Sequence, residues 1–242
     1  MRYSLLFFLL CWISAPAQTS KKGDDPQVLD HSAWDKMLQE HVTEVGDVDY
    51  KAFLERKSDL EAYLDYLGNH KPDSEASRYE ALAFYINLYN AATVHLILEN
   101  YPLNSIKDIE NPWGQRRIRL AGDKISLSKI EHGILRKMNE ARIHFAINCA
   151  SVSCPKLRNR AFTASGMELE LQQAAMDFIN DPSKNRVSED DLQLSAIFKW
   201  YRGDFMQKRS LVAYIQPFTK TKIRETARIS YLPYDWDLNE KK

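Results

Sequence analysis

Residues Ser77–Asn100 read SRYEALAFYINLYNAATVHLILEN. Apolar side chains occupy nearly every side of a helix built on this stretch, with Leu82, Ile86 and Leu98 among them. A helix that is apolar all round is buried among other elements rather than lying on the surface. The stretch therefore predicts a buried central helix.

The flanking sequence predicts further helices and a few short strands. Apolar residues recur at helical spacing from His31 to Gly68. The turn residues Gly122-Asp123 separate two short alternating runs, which is typical of a β-hairpin. The predicted elements after the central helix are a hairpin at 117–127, a helix at 127–138, a strand at 142–148, a helix at 167–180, short strands at 187–188 and 192–194, and helical stretches at 196–205 and 211–218. This order predicts one α+β domain, mostly helical, with a small antiparallel sheet.

The N-terminus has the pattern of an export signal. Arg2 precedes an apolar run from Leu5 to Ile13, and Ala15-Pro-Ala17 resembles a cleavage site. We predict a signal peptide at 1–17, a flexible polar leader at 18–30 and a single domain at 31–242. The apolar run is too short to span a bilayer, and we expect no later stretch to do so. The mature protein is then periplasmic or secreted.

Charge and composition narrow the classes of partner. The 33 Lys and Arg residues balance 33 Asp and Glu residues. A balanced chain has no electrostatic reason to seek nucleic acid or an anionic membrane. We therefore expect neither as a partner, and the composition suggests no cofactor.

With Cys11 assigned to the signal peptide, both remaining cysteines lie in one short segment. Cys149 and Cys154 follow the apolar run Ile143–Ile147. A thiol at this position becomes a nucleophile if an imidazole activates it, and we expect backbone amides of residues 150–153 to hold an oxyanion there. A Cys149–Cys154 disulfide explains the pair equally well in an exported protein. The spacing matches no standard zinc site, so metal binding is the least favoured reading.

Two histidines are candidates for the base that activates Cys149. On a strand, His144 points to the face opposite Cys149, since side chains alternate. His132, off the apolar stripe of the preceding predicted helix, is then the expected base. The alternative for His144 is a hydrogen-bonded strand residue, and that for His132 is ordinary exposure to solvent.

Three other polar residues have both a structural and a functional reading. Glu131 completes the capping-box pattern Ser128-Lys-Ile-Glu131, and it is also a candidate site residue. Asn87 and Asn90 lie in the central helix, where unpaired amides are costly. They either clamp neighbouring backbone or orient an active-site group.

Three segments in this order resemble the domain of unknown function 547 family. They are LAFYINLYN at 82–90, SKIEHGILR at 128–136 and IHFAINCASVSCP at 143–155. The resemblance implies a distant similarity to papain-like and transglutaminase-like thiol enzymes. It also implies a Glu, His, Cys site, which we assign to Glu131, His132 and Cys149. It favours Cys149 over Cys154, which stays a secondary candidate.

The function implied is a thiol-dependent hydrolase or acyltransferase acting on an amide, a peptide or a glutathione-like substrate. Cys149 attacks and His132 exchanges the proton. The alternative is a non-catalytic module of the cell envelope that binds a peptide or small thiol, with its cysteines joined. A third reading is an interaction protein without any cleft.

Overall fold

A computed structural model describes residues 29–207 and 209–242. The predicted signal peptide, and the leader as far as residue 28, lie outside the described residues. The α-helices are α1 (Ser32–His41), α2 (Tyr50–Phe53), α3 (Lys57–Asn69), α4 (Arg78–Asn100), α5 (Leu127–Gly133), α6 (Met167–Asn180), α7 (Ile197–Trp200), α8 (Arg202–Phe205) and α9 (Leu211–Ile215). Short 3-10 helices cover Leu54–Arg56, Ile106–Asp108, Leu135–Met138, Ala141–Phe145 and Gln216–Phe218. The strands are β1 (Ile118–Leu120), β2 (Asp123–Ile125), β3 (Arg186–Val187), β4 (Asp191–Leu194) and β5 (Arg228–Tyr231).

The central helix α4 is confirmed. Ser77 caps its N-terminus by accepting a hydrogen bond from the Glu80 N–H. The helix packs against α3 and α5, and its residues from Leu82 to Val94 are all buried. By length and apolar composition alone α4 is one helix that could cross a membrane. Its most apolar window is 89% buried inside the domain, as in the core helix of a globular fold.

The apolar core has two parts, and one short segment joins them. The larger cluster surrounds α4 and includes Ile143 and Ala146. The smaller cluster is rich in aromatic rings and brings Phe145 together with Phe198 and Phe205. The segment that leads to Cys149 is therefore held by apolar packing on both sides.

The strands form two small sheets, which confirms the α+β class. β1 and β2 make the predicted antiparallel hairpin, with Ile118 opposite Ile125. β3 pairs antiparallel with β4, but β4 pairs parallel with β5. The predicted small antiparallel sheet is thus present as β1–β2, and the second sheet is mixed. Helices α7–α9 carry the chain across between β4 and β5, and apolar alternation does not encode strand direction.

The predicted strand at 142–148 is a 3-10 helix followed by a turn. The Glu140 side chain caps the 3-10 helix by accepting from the Arg142 N–H. The N–H groups of Ala146 and Ile147 both donate to the Ile143 carbonyl, at 2.9 and 3.0 Å. Local hydrogen bonds replace the ladder that a strand needs, so side-chain alternation does not apply here.

Asn87 and Asn90 clamp backbone, as one of the two sequence readings proposed. The Asn87 amide donates to the Phe162 carbonyl at 2.8 Å and accepts from the Phe162 N–H at 3.0 Å. Asn90 makes the same pair of contacts with the Ala146 carbonyl and the Asn148 N–H, each at 2.9 Å. Both amides are thus fully used inside the core, where an unpaired polar group is costly.

Replacing Asn90 with Ala should lower the free energy of unfolding by about 2–4 kcal/mol, because it leaves one buried carbonyl and one buried N–H without a partner. Urea denaturation followed by circular dichroism measures this loss. The matched control is Asn69→Ala, which removes an exposed hydrogen bond to the Asp65 carbonyl. We expect the control to change stability by less than about 0.5 kcal/mol. Equal losses in the two variants would contradict the clamp.

Candidate functional site

A small cavity lies at the end of the segment joining the two apolar clusters. Its volume is about 80 Å³, and Glu131, His144, Cys149 and Cys154 all line it. Six aromatic residues complete most of its wall: Tyr89, Trp113, Trp200, Tyr201, Tyr234 and Trp236. Four polar or sulfur-bearing candidates from the sequence therefore meet in one aromatic cavity.

Cys149 and Cys154 are joined by a disulfide, with their Cα atoms 6.2 Å apart. Cys149 is partly exposed, whereas Cys154 is only 4% exposed. The Cys149 N–H donates to the Cys154 sulfur at 2.9 Å. The Tyr234 hydroxyl lies 3.3 Å from each sulfur. Of the two states left open by the sequence, the structure holds the oxidised one.

The loop after Cys149 is anchored by the C-terminal segment. The Val152 N–H donates to the Asp237 carbonyl at 2.8 Å, and the Ser153 N–H donates to the Asp235 carbonyl at 3.1 Å. These contacts bring Tyr234 and Trp236 into the cavity wall.

Three of the four main-chain amides that the sequence offered for an oxyanion have partners within the protein. Val152 and Ser153 donate to the C-terminal segment, and the Ala150 N–H donates to the Asn148 side chain at 2.8 Å. These amides are already satisfied by the protein and are not free to bind a substrate oxygen. The prediction required an open loop at residues 150–153, whereas the C-terminal segment pairs with this loop.

His144 is buried in the cavity wall and bound to Asp204. Its Nε2 atom lies 2.8 Å from Asp204 Oδ2, and Asp204 also accepts two hydrogen bonds from Arg136. Burial lowers the pKa of His144 below 6.5, opposed by the Asp204 hydrogen bond and by the charge of Glu131. Burial works against ionisation of Asp204, but its hydrogen bonds from His144 and Arg136 hold its pKa well below 3.8.

The protonation states of this pair follow from those directions. Asp204 is ionised at neutral pH and only accepts hydrogen bonds, so the Nε2 atom of His144 carries the shared proton. Neutral His144 then has Nδ1 as its acceptor nitrogen. The pair is a base with a fixed tautomer in the cavity that Cys149 also lines.

Tyr201 connects His144 to Glu131. The Tyr201 ring stacks on the imidazole of His144 at a centroid distance of 3.9 Å, and its hydroxyl donates to Glu131 Oε1. The Tyr89 hydroxyl donates to the other oxygen of Glu131 at 3.3 Å. Burial, with the charge of Glu131 next, raises the pKa of Tyr201. Both tyrosines therefore stay protonated and satisfy the buried carboxylate.

The capping-box reading of Glu131 is wrong. Helix α5 begins two residues earlier than that reading requires, and the side chain of Ser126 caps it by accepting from the Lys129 N–H. Glu131 is only 5% exposed and faces the cavity instead.

His132 does not line the cavity. Its side chain is 47% exposed, and its Nδ1 atom lies 3.8 Å from Glu131 Oε1 and 3.2 Å from an Arg136 nitrogen. The structure thus brings Glu131, His144 and Cys149 together and leaves His132 on the outer side of the carboxylate. The sequence preferred His132 because it placed His144 on a strand.

Three residues of the site escaped sequence reasoning: Tyr201, Asp204 and Tyr234. A weak signal for two of them exists, because Tyr201 and Asp204 are three residues apart in a helical stretch and so share one face. Their contacts with His144 span about 60 positions of the chain, and no local pattern records such a distance. For metal binding, no group of three or more His, Cys, Asp or Glu side chains in 29–207 and 209–242 is arranged to hold an ion.

Residues 74–179 match the family described as "Protein of unknown function, DUF547". Over this part of its length, 106 of 242 residues, the chain is similar to the DUF547 family. The match contains the three segments quoted above and both cysteines, whereas Tyr201, Asp204 and Tyr234 lie beyond it. No curated protein and no solved structure matches the chain. The implied papain-like or transglutaminase-like arrangement is therefore not confirmed for this chain.

Replacing Asp204 with Asn should lower the pKa of His144 further below 6.5, because the hydrogen bond and charge that favour the imidazolium are weakened while burial still opposes it. Titration of the His144 ring protons by NMR measures this directly. Asp191→Asn is the control, since Asp191 pairs with Arg228 at the surface. A His144 pKa that is unchanged or higher in Asp204→Asn would show that the pair does not set the ionisation of this histidine.

Proposed function

We propose that this protein is an exported thiol-dependent hydrolase or acyltransferase, with Cys149 as nucleophile and His144 as the group that carries the proton. The observation that supports it is the meeting of Cys149, His144 and Glu131 in one cavity, with Asp204 holding the imidazole. A nucleophile beside a base that a third group orients is the arrangement of cysteine and serine acyl-transfer enzymes.

The reaction begins from the reduced form, because a sulfur in a disulfide cannot attack a carbonyl carbon. Neutral His144 takes the thiol proton of Cys149 on Nδ1, and the thiolate adds to the substrate carbonyl. His144 then returns the proton to the leaving amine, which leaves a thioester on Cys149. Water completes a hydrolase cycle, and an acceptor amine completes a transferase cycle.

Glu131 acts through its charge and through Tyr201. Its negative charge favours the protonated form of His144, which appears when the thiolate forms. Its hydrogen bond with Tyr201 fixes the ring that stacks on the imidazole. We assign Glu131 the role of a positioning residue, and the three residue types implied by the family resemblance are then present with His144 in place of His132.

The shape of the cavity indicates the class of substrate. A volume of about 80 Å³ holds two or three water molecules at about 30 Å³ each, so only the reacting bond enters it. The rest of the substrate lies on the aromatic rim, where Trp200 is 48% exposed and stacks with Trp236. A peptide or a small thiol-containing peptide fits such a rim, because it combines flat amide groups with a narrow reacting centre.

The thiol assignment predicts a specific labelling pattern with an iodoacetamide probe. Wild-type protein should label at Cys149 only after reduction, whereas Cys154→Ser should label without reductant because it cannot form the disulfide. Cys149→Ala should lose the labelling that is specific to the native state. Peptide mass spectrometry of native and urea-unfolded samples measures each site.

The two histidines provide matched variants in the same assay. His144→Gln should slow labelling of reduced Cys149 at pH 7 by about 100-fold, the lower end for loss of a general base. His132→Gln should change the rate by less than about threefold, since the ring lies outside the cavity. If His132→Gln shows the larger loss, the base is His132 and the assignment to His144 fails.

The disulfide favours a second candidate, a binding module of the cell envelope that holds a peptide or small thiol without catalysis. A resting oxidised site needs no base, yet the cavity and its aromatic rim remain. The same labelling assay separates the two: a reduced Cys149 that reacts no faster in the native state than in urea supports the binding module.

Export predicts that the mature chain begins at Gln18. The intact mass of protein recovered from the periplasm or medium should lack residues 1–17, since the apolar run and small-residue site are removed by signal cleavage. Recovery of the full-length chain from the cytosol alone would contradict export. The balanced charge supports the further proposal that neither nucleic acid nor an anionic membrane is a partner.

A further inference from the structure

We propose that the Cys149–Cys154 disulfide is a directional thiol–disulfide exchange site, at which a small thiol or cysteine-containing peptide becomes bonded to Cys149 while Cys154 leaves. This activity goes beyond the proposed function, because it involves no acyl group and takes place in the oxidised protein.

The direction follows from the hydrogen bonds around the two sulfurs. Cys154 Sγ accepts from the Cys149 N–H at 2.9 Å and from the Tyr234 hydroxyl at 3.3 Å. In thiol–disulfide exchange the leaving sulfur acquires negative charge, and donors that already point at it stabilise that charge. Cys154 is thus prepared to leave as a thiolate.

A short chain of hydroxyl groups sets the orientation of the Tyr234 donor. Ser151 Oγ donates to the Tyr234 oxygen at 3.1 Å, and the single Tyr234 proton is within reach of both sulfurs, so it can follow the one that leaves, while the Cys149 N–H points at Cys154 alone. Burial raises the pKa of Tyr234 to about 12. At neutral pH Tyr234 therefore remains a donor and does not repel the developing thiolate.

Access favours the same direction. Cys149 is the partly exposed sulfur in the aromatic cavity, whereas Cys154 is 4% exposed. Cys154 also lines a second cavity of about 420 Å³ on its other side, beside Asn148 and Pro155. A thiol entering there would attack Cys154 and expel Cys149, whose sulfur lies 3.3 Å from each of the Ser151 and Tyr234 hydroxyls. With no main-chain donor aimed at it, Cys149 is the poorer leaving group.

The exchange balances in two steps. The incoming thiolate forms a bond to Cys149 Sγ as the Cys149–Cys154 bond breaks, and Cys154 takes the electron pair. A second thiolate then attacks the small molecule's sulfur in this mixed disulfide, which releases the oxidised small disulfide and the Cys149 thiolate. Two thiols are oxidised and one protein disulfide is reduced.

The experiment uses the oxidised full chain and N-acetylcysteine at limiting concentration. Samples are quenched in acid, capped with N-ethylmaleimide and mapped by peptide mass spectrometry. At early times the N-acetylcysteine adduct on Cys149 should exceed that on Cys154 by about tenfold, with the maleimide on Cys154. An equal distribution, or an excess on Cys154, would overturn the proposal without requiring any variant.

Tyr234→Phe provides the second measurement. Losing one hydrogen bond to the leaving sulfur should slow formation of the Cys149 adduct by about tenfold. Tyr231→Phe is the matched control, because Tyr231 belongs to the same C-terminal segment but does not line the cavity, and it should keep the wild-type rate. Equal rates in the two variants would remove Tyr234 from the exchange. Since no acyl substrate or reduced enzyme is used, this result is independent of the labelling test for Cys149 as a nucleophile.

Discussion

The pair of hydrogen bonds between the Asn90 side chain and the backbone at Ala146 and Asn148 is the constraint on which the site depends. Asn90 lies in the middle of α4, whose residues from Leu82 to Val94 are all buried, so its position is fixed by the core. Its amide takes the place that a neighbouring strand would have filled and holds the turn after the 3-10 helix. Cys149 follows directly, and its position is therefore set by the core.

Each buried carboxylate in the site has hydrogen-bond partners that stabilise it. Glu131 is satisfied by two tyrosine hydroxyls, and Asp204 by His144 and Arg136. A buried carboxylate without such partners would be protonated or would destabilise the fold. The arrangement places two negative groups near one imidazole while burial keeps that imidazole neutral. Opposed influences of this kind are typical of groups that exchange protons.

The sequence predicted elements whose pattern is local and missed those decided by distant contacts. The apolar pattern that predicts α4 and the Gly122 turn that predicts the hairpin each lie within a short stretch of sequence. The run Ile143–Ile147 is also apolar and β-branched, but it forms a 3-10 helix and a turn. Asn90, more than 50 positions away, hydrogen-bonds the backbone of that turn. Because of this error, the sequence placed His144 on the face opposite Cys149 and favoured His132 as the base. Asp204 was out of reach for the same reason, since its partner His144 is 60 positions away.

The pairing of the cysteine loop with the C-terminal segment has a consequence for the order in which the site is assembled. Residues 234–237 supply part of the cavity wall and accept the N–H groups of Val152 and Ser153. They are added to the chain some 80 residues after the cysteines. The growing chain therefore presents both sulfurs without this wall until residues 234–237 have been made. Before that point both thiols are exposed to other molecules, and afterwards only Cys149 is partly exposed.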